Sequence, residues 1–208
     1  MGKQPEFQGN YERVLDEWRE KSRTWDLRKK WGELGLPEYA GENPRLACYG
    51  VMYEWNPRDG RIYEAGHPER EAQFTTAMNI YSLLYYSRTA PALSGIWVPL
   101  REVKRAYPFA AAFQNRALDP FARCFDGRKE ALIRAGEQLG FRRIPFSDAG
   151  FEAMAFPCLP VRFLFWDGDE EFPAQANILF DSNITDFVHE ETVVMLGEDG
   201  GRRLMEAV

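Results

Sequence analysis

The chain has 208 residues, of which 45% are hydrophobic and 28% charged, so it is long enough for one domain, or one domain with an extension, around a sizeable core. Its net charge of −6 is unevenly placed, because 11 acidic and 3 basic residues follow from Val161 onward while residues 1–160 carry a net charge of +2. An acidic third repels phosphates, which argues against general nucleic-acid binding. The aromatic share of 14% suffices for a large core and for a ligand pocket.

The three cysteines, Cys48, Cys124 and Cys158, are far apart in the sequence and form no Cys-x-x-Cys pair. This spacing excludes a zinc ribbon or an iron–sulphur site built from this chain alone. No apolar run approaches the ~18 residues of a membrane span, and the first residues lack the apolar core of a signal peptide. We therefore expect a cytoplasmic protein with reduced thiols and no membrane partner.

The first predicted element is a helix from Tyr11 to Trp31, with Asn10 as its N-cap. The composition of Gly32–Pro44 predicts a loop. Together they predict an N-terminal helical arm and loop, residues 1–44, in front of an α+β domain that spans residues 45–208.

A hairpin is predicted next, with strands at Leu46–Trp55 and Arg61–Glu64 joined by turn-forming residues. Pro68 predicts the start of a helix, with Glu69 and Glu71 favourable in its first turn. That helix ends near Arg88, and a 3-and-4 spacing predicts one buried stripe along it. The stripe consists of Phe74, Ala77, Met78, Tyr81, Leu84 and Tyr85.

The second half of the chain is predicted to be mixed. Helices are predicted at Pro108–Leu118, Pro120–Phe125, Arg128–Leu139, Ile184–Val188 and Glu190–Leu196, with the glycine-rich stretch Gly197–Arg202 as a tail turn. Strands are predicted at Gly95–Leu100, Phe141–Phe146, Phe151–Phe156, Val161–Trp166 and Ala174–Phe180. Because helices and strands do not alternate regularly, the order favours an α+β fold with a mostly antiparallel sheet.

Three stretches of the second half resemble the motifs of one family. Block 1, SGIWVPLREV (Ser94–Val103), resembles a Gly-x-Trp-x-x-Phe-x-Glu motif, with Leu100 in place of the Phe. Block 2, LDPFARCFDGRKEALIRAGEQLG (Leu118–Gly140), is similar to a Pro-Leu-Ala-x-x-Phe-Gly helix pair, with Asp126 in place of the first Gly. Block 3, PVRFLFWDGDEEFPAQANILFD (Pro160–Asp181), resembles a Trp-x-Gly-Asp-x-Glu-Phe-Pro motif followed by Leu-Phe-Asp.

In this order the blocks resemble an uncharacterised prokaryotic family catalogued as domain of unknown function number 3786, over roughly Leu46 to Gly197. The resemblance implies no established activity. The association of that family with anaerobic prokaryotes implies a role in redox or corrinoid-related metabolism. Some members carry an iron–sulphur module in front, where this chain has a predicted helix and no cysteine cluster, so direct electron carriage is not expected.

Block 3 contains four carboxylates between an apolar strand and a half-exposed one: Asp167, Asp169, Glu170 and Glu171. One interpretation is a solvated hairpin loop. The other is a site in which Asp169 and Glu171 converge, with Asp181 as a third member. Two carboxylates ~4 Å apart repel by roughly 4 kcal/mol at an effective dielectric near 20, so convergence requires a cation, a shared proton or an arginine such as Arg142 or Arg143.

The aromatic residues and histidines leave alternatives open. Trp97 and Trp166, with Tyr81, Tyr85 and Tyr86, either fill the core or stack on a flat cofactor. His67 and His189 have no second histidine at ligand spacing, so surface or helix-capping roles are favoured over metal binding.

These observations give three hypotheses for function. The leading one is a non-catalytic accessory module that binds a small cofactor or a redox or corrinoid partner protein. The second is a metal-dependent enzyme that uses Asp169 and Glu171 with Asp181 or His189. The third is a protein–protein scaffold that acts through the N-terminal helix. The candidate ligand-binding residues are Trp97, Trp166, Asp169, Glu171 and Asp181, while catalytic residues and the identity of any cofactor stay open.

Overall fold

The computed structural model describes residues 5–37 and 42–208. The fold is α+β with antiparallel sheets, as predicted. The helices are α1 (Pro5–Ser22), α2 (Leu27–Glu33), α3 (Phe74–Tyr86), α4 (Ala110–Phe113), α5 (Asp119–Phe125), α6 (Lys129–Gln138) and α7 (Glu190–Glu206). The strands are β1 (Arg45–Cys48), β2 (Val51–Trp55), β3 (Ile62–Glu64), β4 (His67–Glu71), β5 (Trp97–Pro99), β6 (Arg142–Ile144), β7 (Ala149–Phe156), β8 (Leu159–Trp166) and β9 (Gln175–Asp181).

The strands form two sheets, one with the order β1-β2-β3-β4 and one with the order β5-β9-β8-β7-β6. Strands β7, β8 and β9 alternate side chains between a core face and an outer face. Phe151, Phe163 and Phe180 lie on the core face and are fully buried. On the outer face, Trp166 is 40% exposed. No helix in the described ranges has the length and apolar character that a membrane crossing requires.

The single helix predicted from Tyr11 to Trp31 is two helices. The chain leaves α1 after Ser22, and Asp26 starts α2 by accepting a hydrogen bond from the Lys29 amide at 3.1 Å. An aspartate N-cap satisfies an amide at a helix start, which explains why a new helix begins here. Asn10 lies inside α1 and is not its cap. The loop predicted from residue 32 begins after α2, and residues 38–41 of it lie outside the described part.

The predicted N-terminal arm packs against the rest of the protein. The Trp18 ring stacks with the Tyr81 ring of α3, with 6.0 Å between centroids and 14° between planes. The Arg19 guanidinium is buried and hydrogen-bonds to Glu71 of β4. A Cβ at Gly60 would lie 2.2 Å from the Arg19 carbonyl oxygen, so glycine is required for this close approach.

The helix predicted to start at Pro68 was wrong, because His67–Glu71 is strand β4 and α3 starts at Phe74. Strand β4 is an outer strand of its sheet, where a proline without an N–H is tolerated. The stripe predicted for α3 is largely confirmed, although Tyr85 is 42% exposed.

The strand predicted at Leu46–Trp55 contains a turn. Tyr49 and Gly50, with φ values of 48° and 80°, reverse the chain between β1 and β2. The Tyr49 ring enters the core beside Phe163, and its hydroxyl donates a hydrogen bond to the Leu196 carbonyl oxygen at 2.7 Å. This turn therefore connects the first sheet to helix α7.

The two helices predicted at Pro108–Leu118 and Pro120–Phe125 form one continuous helical run. Between α4 and α5 the backbone widens into a π-helical segment, Gln114–Leu118. Pro120 cannot donate the helical hydrogen bond to residue 116, and its ring crowds that carbonyl. A local π-helical turn accommodates such a position without ending the helix.

The tail turn predicted at Gly197–Arg202 was wrong, because these residues lie inside α7. A Cβ at Gly197 would lie 2.7 Å from the Phe113 ring, and one at Gly200 would lie 2.3 Å from the Phe163 ring. The glycines therefore let the helix backbone approach the aromatic core closely, which outweighs their low helix propensity.

Candidate functional site

The acidic loop between β8 and β9 is folded by its own backbone. The Asp169 carboxylate accepts hydrogen bonds from the amides of Glu171 and Phe172, both at 2.8 Å. These two hydrogen bonds lower the pKa of Asp169 below its usual value. The Glu170 and Glu171 side chains are exposed. The structure thus places Asp169 in a local turn, with Glu171 beside it in the exposed part of the loop.

The start of this loop is attached to the end of helix α5. Asp167 Oδ1 accepts hydrogen bonds from the Gly127 amide at 2.8 Å and from the Gly168 amide at 3.1 Å. The Asp167 amide donates to Asp148 Oδ2 at 2.9 Å. A Cβ at Gly168 would lie 2.6 Å from Asp126 Oδ1, so the start of the acidic loop closely approaches the residue that follows α5. Block 3 therefore meets block 2 here.

Asp181 occupies the other end of β9 and is 1% exposed. Its carboxylate accepts hydrogen bonds from the Ser94 amide and hydroxyl, both at 2.9 Å, the Gly95 amide at 2.8 Å and the Asn183 amide at 2.9 Å. Block 3 therefore meets block 1 at this end. Six residue steps of a strand separate Asp181 from Gln175, about 20 Å, so Asp181 does not join Asp169 and Glu171.

Trp97 and Trp166 are also separated. Both lie on the outer face of the five-stranded sheet, but Trp97 pairs with Asp181 and Trp166 pairs with Gln175, again about 20 Å apart along β9. The tyrosines considered with them lie against Trp18 of α1. No single flat cofactor can stack between all these rings.

Trp97 has a partner from within the sheet. The Arg162 guanidinium lies 3.8 Å from the Trp97 ring centroid, and Arg162 Nε donates to Glu152 at 2.8 Å. Burial alone would raise the pKa of Glu152, but hydrogen bonds from Arg142 and Arg162 lower it. Arg142 donates a hydrogen bond to Glu152 and Arg143 lies over the Phe151 ring, so the structure does not support the option that the carboxylates of the acidic loop hold one of these arginines.

The histidines have structural contacts. His189 caps α7, since its Nδ1 accepts a hydrogen bond from the Glu191 amide at 3.3 Å. His67 begins strand β4, where its Nδ1 lies 3.1 Å from Glu69. In residues 5–37 and 42–208, no three side chains of His, Cys, Asp or Glu are grouped so that they could hold a metal ion. The predicted combination of Asp169 and Glu171 with Asp181 or His189 is therefore not assembled.

A cleft of about 430 Å³ opens beside β9, on the side of the strand away from β8. Sequence reasoning did not identify it. Its walls are the end of β5, the π-helical segment with its neighbouring helices, and the first half of β9. The lining residues are Pro99, Leu100, Arg101, Ala110, Phe113, Gln114, Leu118, Asp119, Ala122, Pro173, Ala174, Gln175, Ala176 and Asn177.

The cleft exists because two neighbouring strands differ in length. Strand β5 pairs only with Leu179, Phe180 and Asp181, after which the chain turns away at Leu100. Strand β9 continues back to Gln175, and there β8 is its only neighbouring strand among the residues that the structure describes. Because β5 is shorter than β9, a gap remains beside the first half of β9. The π-helical segment borders this gap but does not fill it.

The cleft has an apolar floor and polar walls. Phe113, Leu118 and Ala122 are buried beneath it. Gln114 Nε2 donates to Asp119 Oδ1 at 2.6 Å across the π-helical segment. The other polar side chains that line it are Arg101, Gln175 and Asn177. This arrangement offers hydrogen-bonding amides and one cation above an apolar surface.

All three blocks that carry the family resemblance contribute to this cleft. Block 1 supplies Pro99, Leu100 and Arg101; block 2 supplies Leu118, Asp119 and Ala122; block 3 supplies residues 173–177. The blocks are far apart in sequence, and the two carboxylates Asp181 and Asp167 join them in space. No spacing rule within a single block predicts this convergence.

Comparison with known proteins places the chain in a family. A family model described as "Domain of unknown function (DUF3786)" matches residues 32–202. No curated protein and no solved structure matches the chain. Because the match covers most of the chain, from the end of α2 to within α7, this protein belongs to the DUF3786 family.

Proposed function

We propose that this protein is a non-catalytic accessory module that binds its ligand in the cleft beside β9. The ligand is a small cofactor or a segment of a redox or corrinoid partner protein, and a cytoplasmic location belongs to the same proposal. The convergence of the three family blocks on one cleft carries it. The volume of about 430 Å³ lies within the roughly 300–1,000 Å³ of ligand pockets.

The lining favours binding over catalysis. Its ionisable side chains are Arg101 and Asp119, and Asp119 already accepts a hydrogen bond from Gln114. Nucleophilic catalysis uses a nucleophile activated by an adjacent general base, and Arg101 and Asp119 do not form such a pair. Amide side chains such as Gln175 and Asn177 instead orient a ligand by hydrogen bonds.

The lining also favours a small polar ligand or a peptide segment over a flat aromatic cofactor. Phe113 is the aromatic residue of the cleft, and it is 2% exposed. A buried ring offers little face on which a flat cofactor could stack.

A cleft-filling variant tests the proposal. Ala110 lines the cleft, whereas Ala111 is exposed and does not, so Ala110→Trp and Ala111→Trp form a matched pair. The probes are a set of small polar molecules together with flavin mononucleotide, haem and cyanocobalamin, observed through backbone amide NMR shifts. We expect shifts at residues 100–101, 114–119 and 174–177 in the wild type and Ala111→Trp, and their loss in Ala110→Trp. Shifts confined to other surfaces, or shifts that Ala110→Trp leaves unchanged, contradict the proposal.

A further inference from the structure

The sheet edge in the cleft presents backbone groups as well as side chains. The Ser182 amide donates to the Ile96 carbonyl oxygen at 2.8 Å, which shows that Ser182 directs its backbone groups toward β5. Every second residue of a strand directs its N–H and C=O to the same edge of the strand. The backbone N–H and C=O of Ala176, six residues before Ser182, therefore also point away from β8. Strand β5 stops opposite Leu179, so the structure places no strand beside Ala176 on this edge within the ranges it describes.

We propose that the ligand is an extended, basic segment of a partner protein that adds to the sheet along this edge. The segment would take the position that β5 leaves vacant and exchange hydrogen bonds with the N–H and C=O of Ala176. This inference rests on the proposed function and specifies the ligand of the same cleft. Addition of a strand to an open sheet edge is an established mode of peptide recognition.

The dimensions of the cleft suit such a segment. Residues 173–177 line it, and five residues of extended chain span roughly 17 Å. Side chains of an added strand would alternate between the apolar floor at Phe113 and Leu118 and the polar outer face at Gln175 and Asn177. The expected segment therefore alternates apolar and polar residues.

The charge beside the cleft specifies the basic character of the segment. An acidic corner adjoins the start of β9, where the hydrogen bonds of Asp167 and the close approach at Gly168 bring several acids together. No member of this corner forms an ion pair with a residue that the structure describes. Its members are Asp126, Asp148, Asp167, Asp169, Glu170 and Glu171.

A lysine or arginine at the loop end of the segment would be attracted to this unpaired negative charge. The same charge opposes a second copy of this chain as the occupant, because pairing two β9 edges would bring two acidic corners together. We therefore assign the edge to a different protein with a basic segment.

The test uses a short synthetic peptide in which valine and threonine alternate between paired lysines at both ends. Two further versions carry N-methyl groups on alternate residues. In the first version these groups block one edge of the extended peptide, and in the second version they block the opposite edge. A strand that adds to β9 uses only one of its own edges. We therefore expect binding with an Ala176 amide shift, at least tenfold weaker binding for one methylated version, and little change for the other.

Protein variants distinguish two claims: that the cleft binds the ligand, and that the ligand adds to β9 as a strand. We expect Ala110→Trp to abolish peptide binding and the Glu170→Gln, Glu171→Gln double variant to weaken it several-fold in low salt, with the difference shrinking in high salt. If both methylated peptides bind equally well while Ala110→Trp still blocks binding, strand addition is wrong and the cleft function stands. If Ala110→Trp changes nothing, the cleft function fails as well. Concentration-dependent dimers whose formation protects the Ala176 amide would overturn the partner assignment in favour of a second copy.

Discussion

The aspartates at the two ends of strand β9 differ in burial and in hydrogen bonding. At one end, Asp181 is buried and joins the Ser94–Gly95 segment to β9 through hydrogen bonds from Ser94 and Gly95, and it also accepts one from the Asn183 amide. At the other end, Asp169 is exposed and accepts hydrogen bonds from the Glu171 and Phe172 amides of its own loop. Two carboxylates of block 3 therefore differ in role: Asp181 joins β9 to another segment, whereas Asp169 stabilises a turn within its own loop.

The two ends also differ in how the sheet continues. Strand β5 covers the Asp181 end of β9, whereas the Gln175 end has β8 on one side and the cleft on the other. The closed end stabilises the fold, and the open end borders the cleft in which we propose that the ligand binds. The following predictions test this contrast, beginning with the largest expected effect.

Replacing the buried carboxylate should destabilise the protein most. Asp181→Asn removes a charge and points an amide group toward backbone donors, so we expect the free energy of unfolding to fall by about 2–4 kcal/mol. Urea denaturation measures this, with Asp169→Asn as the matched substitution at the open end. Equal stabilities for the two variants would remove the distinction between the ends.

Amide hydrogen exchange should reveal the open edge directly. The Ala176 amide faces the cleft, where none of the described strands pairs with it, whereas the Asn177 amide faces β8 and the Phe180 amide faces β5. We expect Ala176 to exchange roughly a hundredfold or more faster than these two neighbours under native conditions. Similar protection of all three amides would mean that the edge is closed.

Local patterns in the sequence predict local structure well where burial of apolar side chains is the dominant effect. The stripe of α3 is visible because Ala77, Tyr81 and Leu84 face one packed core. The same reasoning fails for α7, since Gly200 is a helix breaker by propensity but allows the helix to approach Phe163. It fails for Pro68 because the edge position of β4, which tolerates proline, depends on the arrangement of the whole sheet.

The candidate site lies beyond such patterns. The acidic stretch of block 3 adjoins β9, part of which lines the cleft, but the length of that strand separates Asp169 and Glu171 from Asp181. The cleft depends on where β5 stops relative to β9 and on the π-helical segment before Pro120. Both are relations between distant segments, so no periodicity or motif within one block encodes them.

The attachment of the acidic loop should contribute less than Asp181. Asp167→Ala removes the acceptor for the Gly127 and Gly168 amides, which should cost about 1 kcal/mol of unfolding free energy, reduced by relief of repulsion within the acidic corner. Glu170→Ala, which changes an exposed side chain of the same loop, is the control and should not lower the urea midpoint. A loss for Asp167→Ala as large as that for Asp181→Asn would show that the open end is as essential to the fold as the closed one.

The smallest effect should be the titration of Asp169. Its pKa is lowered by hydrogen bonds from the Glu171 and Phe172 amides, so the charged form is favoured in the folded state. The resulting stabilisation is present above the ordinary aspartate pKa of about 3.9 and is lost as the pH falls through the lower folded value. The stability difference between the wild type and Asp169→Asn should therefore shrink as the solution is acidified through this range. Carboxyl NMR titration of Asp169 measures the pKa itself, and a value at or above the ordinary one would mean that the turn does not hold the carboxylate, in which case the open end of β9 would lack its fixed loop.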